Sequence, residues 1–299
     1  MSALTALQAE RQDSEVRKIR RRVKIDWSQP IVTLIAMVVA AISVGPVLYV
    51  ILGGFRTTAQ INRDAAALPD PWVLDNYISV LTSDRFWGQL LSSVITAVGT
   101  TTGVVFLGVM AAFVIARFQF KGRGALYALF TAGLLFPLTV AITPLTVMLR
   151  ELGLFGNLVG IILPQVAFTL ATSIIILVPF LRAIPGELED AAEIDGTGKV
   201  GFFFRILLPL AKPGLITVGV LAFVSSWNAY LLPLMVLGAG GAKPNSFTLP
   251  LGVQYFSTAY STNTAAVLAF TSIAMIPALV FFTMLERQIV GGLTGAVKG

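Results

Sequence analysis

The groups able to do chemistry in this sequence are concentrated between Pro185 and Pro213. Five carboxylates, Glu187, Glu189, Asp190, Glu193 and Asp195, precede a glycine-rich turn, and Lys199, Arg205 and Lys212 follow it. Cysteine and histidine are absent from the whole chain, which removes disulfides, thiolate nucleophiles, the usual zinc clusters and imidazole proton relays. The turn Gly196-Thr-Gly-Lys-Val200 faintly resembles the end of a phosphate-binding loop. That pattern needs a glycine five residues before the Gly-Lys pair and a serine or threonine after it, and here Glu193 and Val200 occupy those places. No catalytic dyad, metal-ligand cluster or nucleotide site is recognisable, so no cofactor is expected on this chain. If ATP powers its action, another polypeptide must hydrolyse it.

The elements that carry these residues read as two short helices with a hinge. Pro185 suits a helix entry, and Glu187, Glu189 and Asp190 fall in a first turn, where negative charge is favoured. Gly196 and Gly198 stop the first helix and permit the positive backbone angle of a tight turn. Leu188, Ala191, Ala192 and Asp195 share one face at helical spacing, and the paired alanines make it low and close-fitting. Phe202, Phe203, Ile206 and Leu207 give the second helix a broad apolar stripe. Such a loop could lie against its own bundle or fit a groove of a partner.

The rest of the chain is a membrane protein. Of 299 residues, 56% are hydrophobic and 12% charged, with mean hydropathy +0.84, whereas soluble domains carry roughly 25% charged residues. Six uncharged stretches can each cross a hydrocarbon core about 30 Å thick, at roughly 20 residues per helix. They lie within Ile31–Phe55, Phe86–Ala116, Gly124–Leu149, Leu152–Leu181, Pro213–Ala242 and Pro244–Leu285, the last placing its helix at about residues 265–285 behind a polar front half. The first uncharged run is too long for the apolar region of a cleaved signal, about 7–15 residues, and reads as a retained helix. The predicted fold is all-α, a polytopic bundle of six transmembrane helices. Residues 1–30 form a basic tail, 31–290 the membrane domain with the loop at 184–213, and 291–299 a C-terminal tail.

The net charge of +6 is read as topology and not as a nucleic-acid surface. Sixteen of the 21 basic residues fall in the N-terminal tail, the second-to-third and fourth-to-fifth connections and the C-terminal tail. Basic residues concentrate in cytoplasmic segments, so both termini and the 184–213 loop are expected there.

No Asp, Glu, Lys or Arg lies inside these spans, which counts against an ion-coupled carrier, the main alternative function. Helix breakers do occur: Pro137 and Pro144 in the third span, Pro164 and Pro179 in the fourth, Pro233 in the fifth and Pro277 in the sixth. They are either packing kinks or signs that these helices line something. Trp227 and Asn228 offer an aromatic face and an amide, a pair suited to the C–H faces and hydroxyls of sugars. They suit helix packing and an interhelical hydrogen bond equally well. Ser225, Ser226, Thr139 and Thr143 are further polar candidates.

The run Glu187-Leu-Glu-Asp-Ala-Ala-Glu-Ile-Asp-Gly196, with Phe203-Phe-Arg-Ile-Leu-Leu-Pro-Leu-Ala-Lys-Pro-Gly214, resembles the EAA loop of ABC importer membrane subunits. It is most similar to carbohydrate-importer permeases of the maltose-permease type. The resemblance extends to Ala116-Arg-Phe-Gln-Phe-Lys-Gly-Arg123, Phe136-Pro, Thr143-Pro, Arg150-Glu-Leu-Gly-Leu-Phe155, Trp227-Asn, Asn76-Tyr and Gly292-Leu-Thr-Gly-Ala-Val-Lys-Gly299. The motif's leading glutamate is here Asp190, its usual alanine Thr197, and Ala229 stands where many relatives carry an acid.

The resemblance implies one of two different permease subunits, a dimer of ATPase subunits holding ATP and Mg, and an extracytoplasmic sugar-binding protein. It implies residence in the bacterial or archaeal cytoplasmic membrane, in contact with membrane lipid. Glu189, Asp190, Ala191, Ala192, Asp195 and Gly196 would couple to the ATPase, and Gly292, Leu293, Thr294 and Lys298 would reach into its dimer. Thr143, Ser225, Trp227 and Asn228 remain the candidates for the path of a sugar.

Overall fold

In the computed structural model, residues 28–256 and 263–297 are described, with backbone alone from 284 onward. The basic tail expected at 1–30 lies almost wholly outside these residues, as does Lys298. We number the principal helices α1 Ser28–Gly54, α2 Asp84–Arg117, α3 Arg123–Ala132, α4 Leu138–Glu151, α5 Val159–Ala183, α6 Glu187–Ile194, α7 Lys199–Phe202, α8 Lys212–Trp227 and α9 Thr264–Val297. No strand occurs among the described residues. The chain separates into two compact units at Tyr49/Val50. The first contributes most of α1, a helix whose sequence is apolar on every side, as a helix surrounded by lipid requires. Every contact described below lies within the second unit.

Among the described residues, four helices are long and apolar enough to cross a membrane: α1, α2, α5 and α9. The expected third span is broken instead. Residues 123–135 and α4 meet at 100°, because Phe136 is pushed out of the helical region by the proline that follows, and Pro137 opens α4 as its cap. Pro144, Pro164, Pro179 and Pro277 sit inside continuous helices. The expected fifth span is shorter than its sequence run. With 16 residues, α8 reaches about 24 Å, short of the roughly 30 Å core. It ends at Asn228, and the chain resumes helix at Leu231. At its other end, the 199–210 segment meets α8 at 74°. By length and composition the described residues therefore hold four uninterrupted candidate spans, and up to six if each bent pair is one span.

Around α2 the second unit closes on itself. A Cβ added at Gly103 would lie 2.8 Å from Val166 Cγ2, and one at Gly99 would lie 3.0 Å from Ile162 Cδ1. These glycines, four residues apart, let α2 and α5 approach closely without a hydrophobic driving force between them, as small residues do in lipid. Polar residues on α2 hold the segment before α9: Gln89 Nε2 donates to the Pro244 carbonyl at 2.9 Å, and Leu249 N donates to Ser93 Oγ at 2.7 Å. The polar front half expected ahead of the last span is thus folded down, as short helical turns at Pro244–Ser246 and Leu249–Gly252. Asn76, singled out in the sequence, donates to the carbonyls of Gly54 and Arg56 at the close of α1. Its neighbour Tyr77 donates to Ile51 O and accepts from Ser272 Oγ of α9.

A Gly103→Val variant is expected to lose about 1–3 kcal/mol of stability through overpacking against Val166. The loss should appear as a lowered Tm of the purified protein, while Gly124→Val, in open space, should leave Tm nearly unchanged.

Candidate functional site

The 184–213 loop is the site built with most definition. Its first helix, α6, begins after Pro185-Gly186 with Glu187, Glu189 and Asp190 in the first turn. It ends in a Schellman arrangement: Gly196 N donates to Glu193 O at 3.0 Å and Thr197 N to Ala192 O at 2.7 Å, satisfying two of the helix's last carbonyls. Gly196 takes φ +73°. Gly198, expected to share this role, is extended at φ −69° and needs no glycine for its backbone. A Cβ at Gly196 would meet nothing within 4 Å, so a side chain there would project outward.

The expected single face of α6 is divided. Ala192 is 3% exposed and belongs to the core with Ile115 of α2, Leu177 and Leu181 of α5, Phe202, Leu207 and Ala211. Ala191, Asp190 and Asp195 face outward. A helix lying on a surface must bury one side, and 100° of rotation separates successive residues, so neighbouring alanines need not serve the same side. Two residues without a role in the sequence reading complete the outward surface. Ile194 is 87% exposed at the end of α6 and Val200 72% exposed beyond the turn. A β-branched apolar residue on each side of an acidic, glycine-capped tip was the available signal.

Glu189 is also placed differently from expectation. Its side chain is 14% exposed and turned inward, 2.9 Å from Lys199 Nζ and 3.9 Å from Arg117 Nη1 at the end of α2. Arg117 Nη2 donates to the Ile184 carbonyl at 2.7 Å, and Lys199 also pairs with Glu193. The carboxylates of Glu193 and then Glu189 push the Lys199 ammonium up from its ordinary value, so it stays charged throughout the physiological range. Glu189 therefore ties α6 to α7 and to α2. Of the six predicted loop residues, Asp190, Ala191, Asp195 and Gly196 lie on the outer surface, and Glu189 and Ala192 hold the loop from behind.

The second arm supplies the anchor. Phe202, Phe203 and Leu207 are 1%, 8% and 0% exposed, and Phe203 packs on Phe113 of α2 with ring centroids 4.9 Å apart. The predicted stripe is present, with Ile206 partly buried. Residues 203–207 form a wide π turn just before Pro209, whose ring and missing N–H disfavour an ordinary helical turn.

The predicted path residues do not gather into one site. Trp227 is 4% exposed and stacks on Phe223, 5.6 Å away at 17°, which itself stacks on Phe281 of α9 at 3.7 Å. Asn228 caps α8, exposed, with its amide donating to the Val224 carbonyl at 2.9 Å. Both border a cavity of about 370 Å³ with Leu249, Val253, Met275 and Phe282. Ser225, Thr139 and Thr143 are exposed. Half-buried nearby is a polar group that carries no charge. Gln165 of α5 accepts from Ser226 Oγ at 2.6 Å and from Thr100 Oγ1 at 2.9 Å, joining α8, α5 and α2. An amide directly after Pro164 in an apolar helix was its only sequence mark. At the C-terminus, α9 continues through Gly292, Leu293 and Thr294 to Val297, so backbone expected to be a tail is helical.

Residues 104–290 match the family described as the binding-protein-dependent transport system inner membrane component. The diacetylchitobiose uptake system permease protein NgcG of Streptomyces coelicolor is 33% identical, over 85% of this chain and 84% of its own. The trehalose transport system permease protein SugB of Mycobacterium tuberculosis is 35% identical, over 85% and 92%. A bacterial ABC transporter that imports the acidic polysaccharide alginate contains a chain of the same fold, with TM-score 0.75, 20% identity, and coverage of 88% of this chain and 97% of that one. This chain belongs to the family of inner-membrane components of binding-protein-dependent transport systems. It is a permease component of an ABC importer, which sets aside the ion-coupled carrier.

The two sides of α6 predict opposite outcomes for neighbouring substitutions. Ala192→Leu is expected to cost about 1–3 kcal/mol by overpacking the core, read as a lowered Tm, whereas Ala191→Leu, on the exposed side, should keep the wild-type Tm.

Proposed function

We propose that this chain is one of two different permease subunits of an ATP-driven sugar importer in a bacterial or archaeal cytoplasmic membrane. Both termini and the 184–213 loop are cytoplasmic, the sign of the basic-residue distribution supporting that orientation. The loop docks into a dimer of ATPase subunits, which bind ATP and Mg, while a sugar-binding protein delivers cargo from outside. A related transporter has been solved with an alginate pentasaccharide-bound periplasmic protein, which supports that arrangement. Relatives named for uptake of diacetylchitobiose, trehalose and arabinooligosaccharides support a sugar or oligosaccharide as cargo.

The observation that carries the reading is the division of α6. Its tip presents Asp190, Ala191, Ile194 and Asp195 to solvent, and its back, Ala192, is core. A docked partner therefore grips a surface that is continuous with the ends of α2 and α5. When ATP draws the two ATPase subunits together, the loop follows as a rigid body and the spans rock between inward-open and outward-open states. Asp190 meets a polar or basic site on the ATPase, and Ala191 permits close approach. Ile194 and Val200 supply apolar contact on either side of the turn. The end of α9, including Gly292, Leu293 and Thr294, together with Lys298, contacts the ATPase dimer. Ser225, Asn228 and Thr143, all exposed, are the candidates for contact with the sugar, and Trp227 packs beside Asn228 at the cavity they share.

Reconstituted complexes test this. Gly196→Trp, whose side chain would point into open space, is expected to leave membrane insertion intact and to abolish ATP-dependent uptake. Gly196→Ala should cost only about 1–2 kcal/mol of local backbone strain and retain partial uptake. Assembly and uptake at wild-type levels in Gly196→Trp would refute the docking role, and a panel of labelled mono- and oligosaccharides identifies the cargo.

A further inference from the structure

A second surface adjoins the docking tip and shares Val200 with it. Phe106, Met110 and Val114 of α2, Leu126 and Phe130 of α3, and Phe204 after α7 enclose an open cavity of about 620 Å³. That volume falls within the range of small-molecule clefts, about 300–1,000 Å³. Every lining residue is apolar. Its floor is the tilted pair Phe113 and Phe203, both in the core, so the groove is a fixed feature of the bundle.

Its length and its ends point to one kind of occupant. From Val114 to Phe106 is eight residues, about 12 Å along a helix at about 1.5 Å per residue. Added to the loop residues at its mouth, this approaches half of the roughly 30 Å hydrocarbon core. The groove thus runs from the loop side of the membrane toward the midplane, the reach of one leaflet. Basic residues flank that mouth along the chain: Arg205 follows Phe204, and Lys121 and Arg123 lead into α3 just before Leu126. Lys121 and Arg205 are exposed, Arg123 is half-buried and donates to the Ala116 carbonyl at 3.3 Å, and none of the three takes part in the ion pairs described for the loop, which are made by Arg117 and Lys199. An apolar slot one leaflet deep, whose lining residues Phe204 and Leu126 lie within a few positions of these cations in the chain, complements an anionic lipid.

We propose that this groove holds an acyl chain of an anionic phospholipid from the cytoplasmic leaflet, with the headgroup at Lys121, Arg123 and Arg205. The leaflet assignment rests on the orientation given under the proposed function. The lipid packs against Phe204 of the docking loop as well as against α2 and α3, so the loop is supported from its membrane side by a bound molecule.

The test uses the purified complex in nanodiscs of phosphatidylcholine containing phosphatidylglycerol with a photoreactive diazirine in one acyl chain. Irradiation is expected to label peptides containing residues 106–114 and 126–130, with labelling reduced in Met110→Trp, which narrows the groove. In competition with unlabelled lipid, phosphatidylglycerol should displace the probe better than phosphatidylcholine. That preference should fall by roughly fivefold for each basic residue removed in Lys121→Ala and Arg205→Ala, exposed changes that leave the fold intact. Label spread evenly over all lipid-facing helices in wild type and Met110→Trp alike would overturn the proposal. So would equal competition by the two lipids, or capture of these residues by a neighbouring protein chain. Labelling needs neither ATP nor sugar, so a failure of the importer reading would show in uptake and not here.

Discussion

The burial of Ala192, Phe202, Phe203 and Leu207 beneath the 184–213 loop is the interaction on which the rest of the structure depends. Full burial of a large apolar side chain is worth about 1.5–3 kcal/mol, and these residues share one core with Ile115, Leu177 and Leu181 at the ends of α2 and α5. Without that shared core the loop would be a tether, and force applied to its tip would be dissipated in loop motion. With it, the tip and two of the four uninterrupted spans are parts of a single solid. The ion pairs from Glu189 to Arg117 and Lys199 reinforce the same junction, and the Schellman turn at Gly196 fixes the angle at which the two arms leave the tip.

Much of this was legible in the sequence because its signals are local. Gly196 announces a helix end wherever it stands, a run of carboxylates marks a helix start, and the spacing of Phe202, Phe203, Ile206 and Leu207 declares a buried face. The division between Ala191 and Ala192 was not legible, since helical spacing groups residues into faces without saying which side of a low face meets the bundle. Glu189 misled for a related reason. A carboxylate beside an acidic motif looks available, and only the fold brings Arg117, 72 residues earlier in the chain, to its side. The breaks at Phe136–Pro137 and Asn228 show the same limit. A proline licenses a bend, but whether Pro137 bends and Pro144 does not depends on what each carbonyl finds nearby.

Spans without charge still contain a polar skeleton. Gln165, Ser226 and Thr100 join three helices through one amide oxygen, and Gln89 and Ser93 hold the segment ahead of α9. Such bonds are modest in lipid, about 0.6 kcal/mol on average, yet they are directional where packing of apolar surfaces in an apolar solvent is not. Close glycine contacts between α2 and α5 supply the proximity, and these amides and hydroxyls supply the register.

The exposed pair Ile194 and Val200 has a consequence for how such a subunit comes into being. Its loop is already held by contacts within one chain, so its shape does not wait on a partner. What is left bare is apolar surface at two points, Ile194 at the end of α6 and Val200 beyond the turn. The same two side chains that would seat a motor thereby also distinguish an orphan subunit from an assembled one, a difference that a chaperone or protease reading exposed apolar surface can detect.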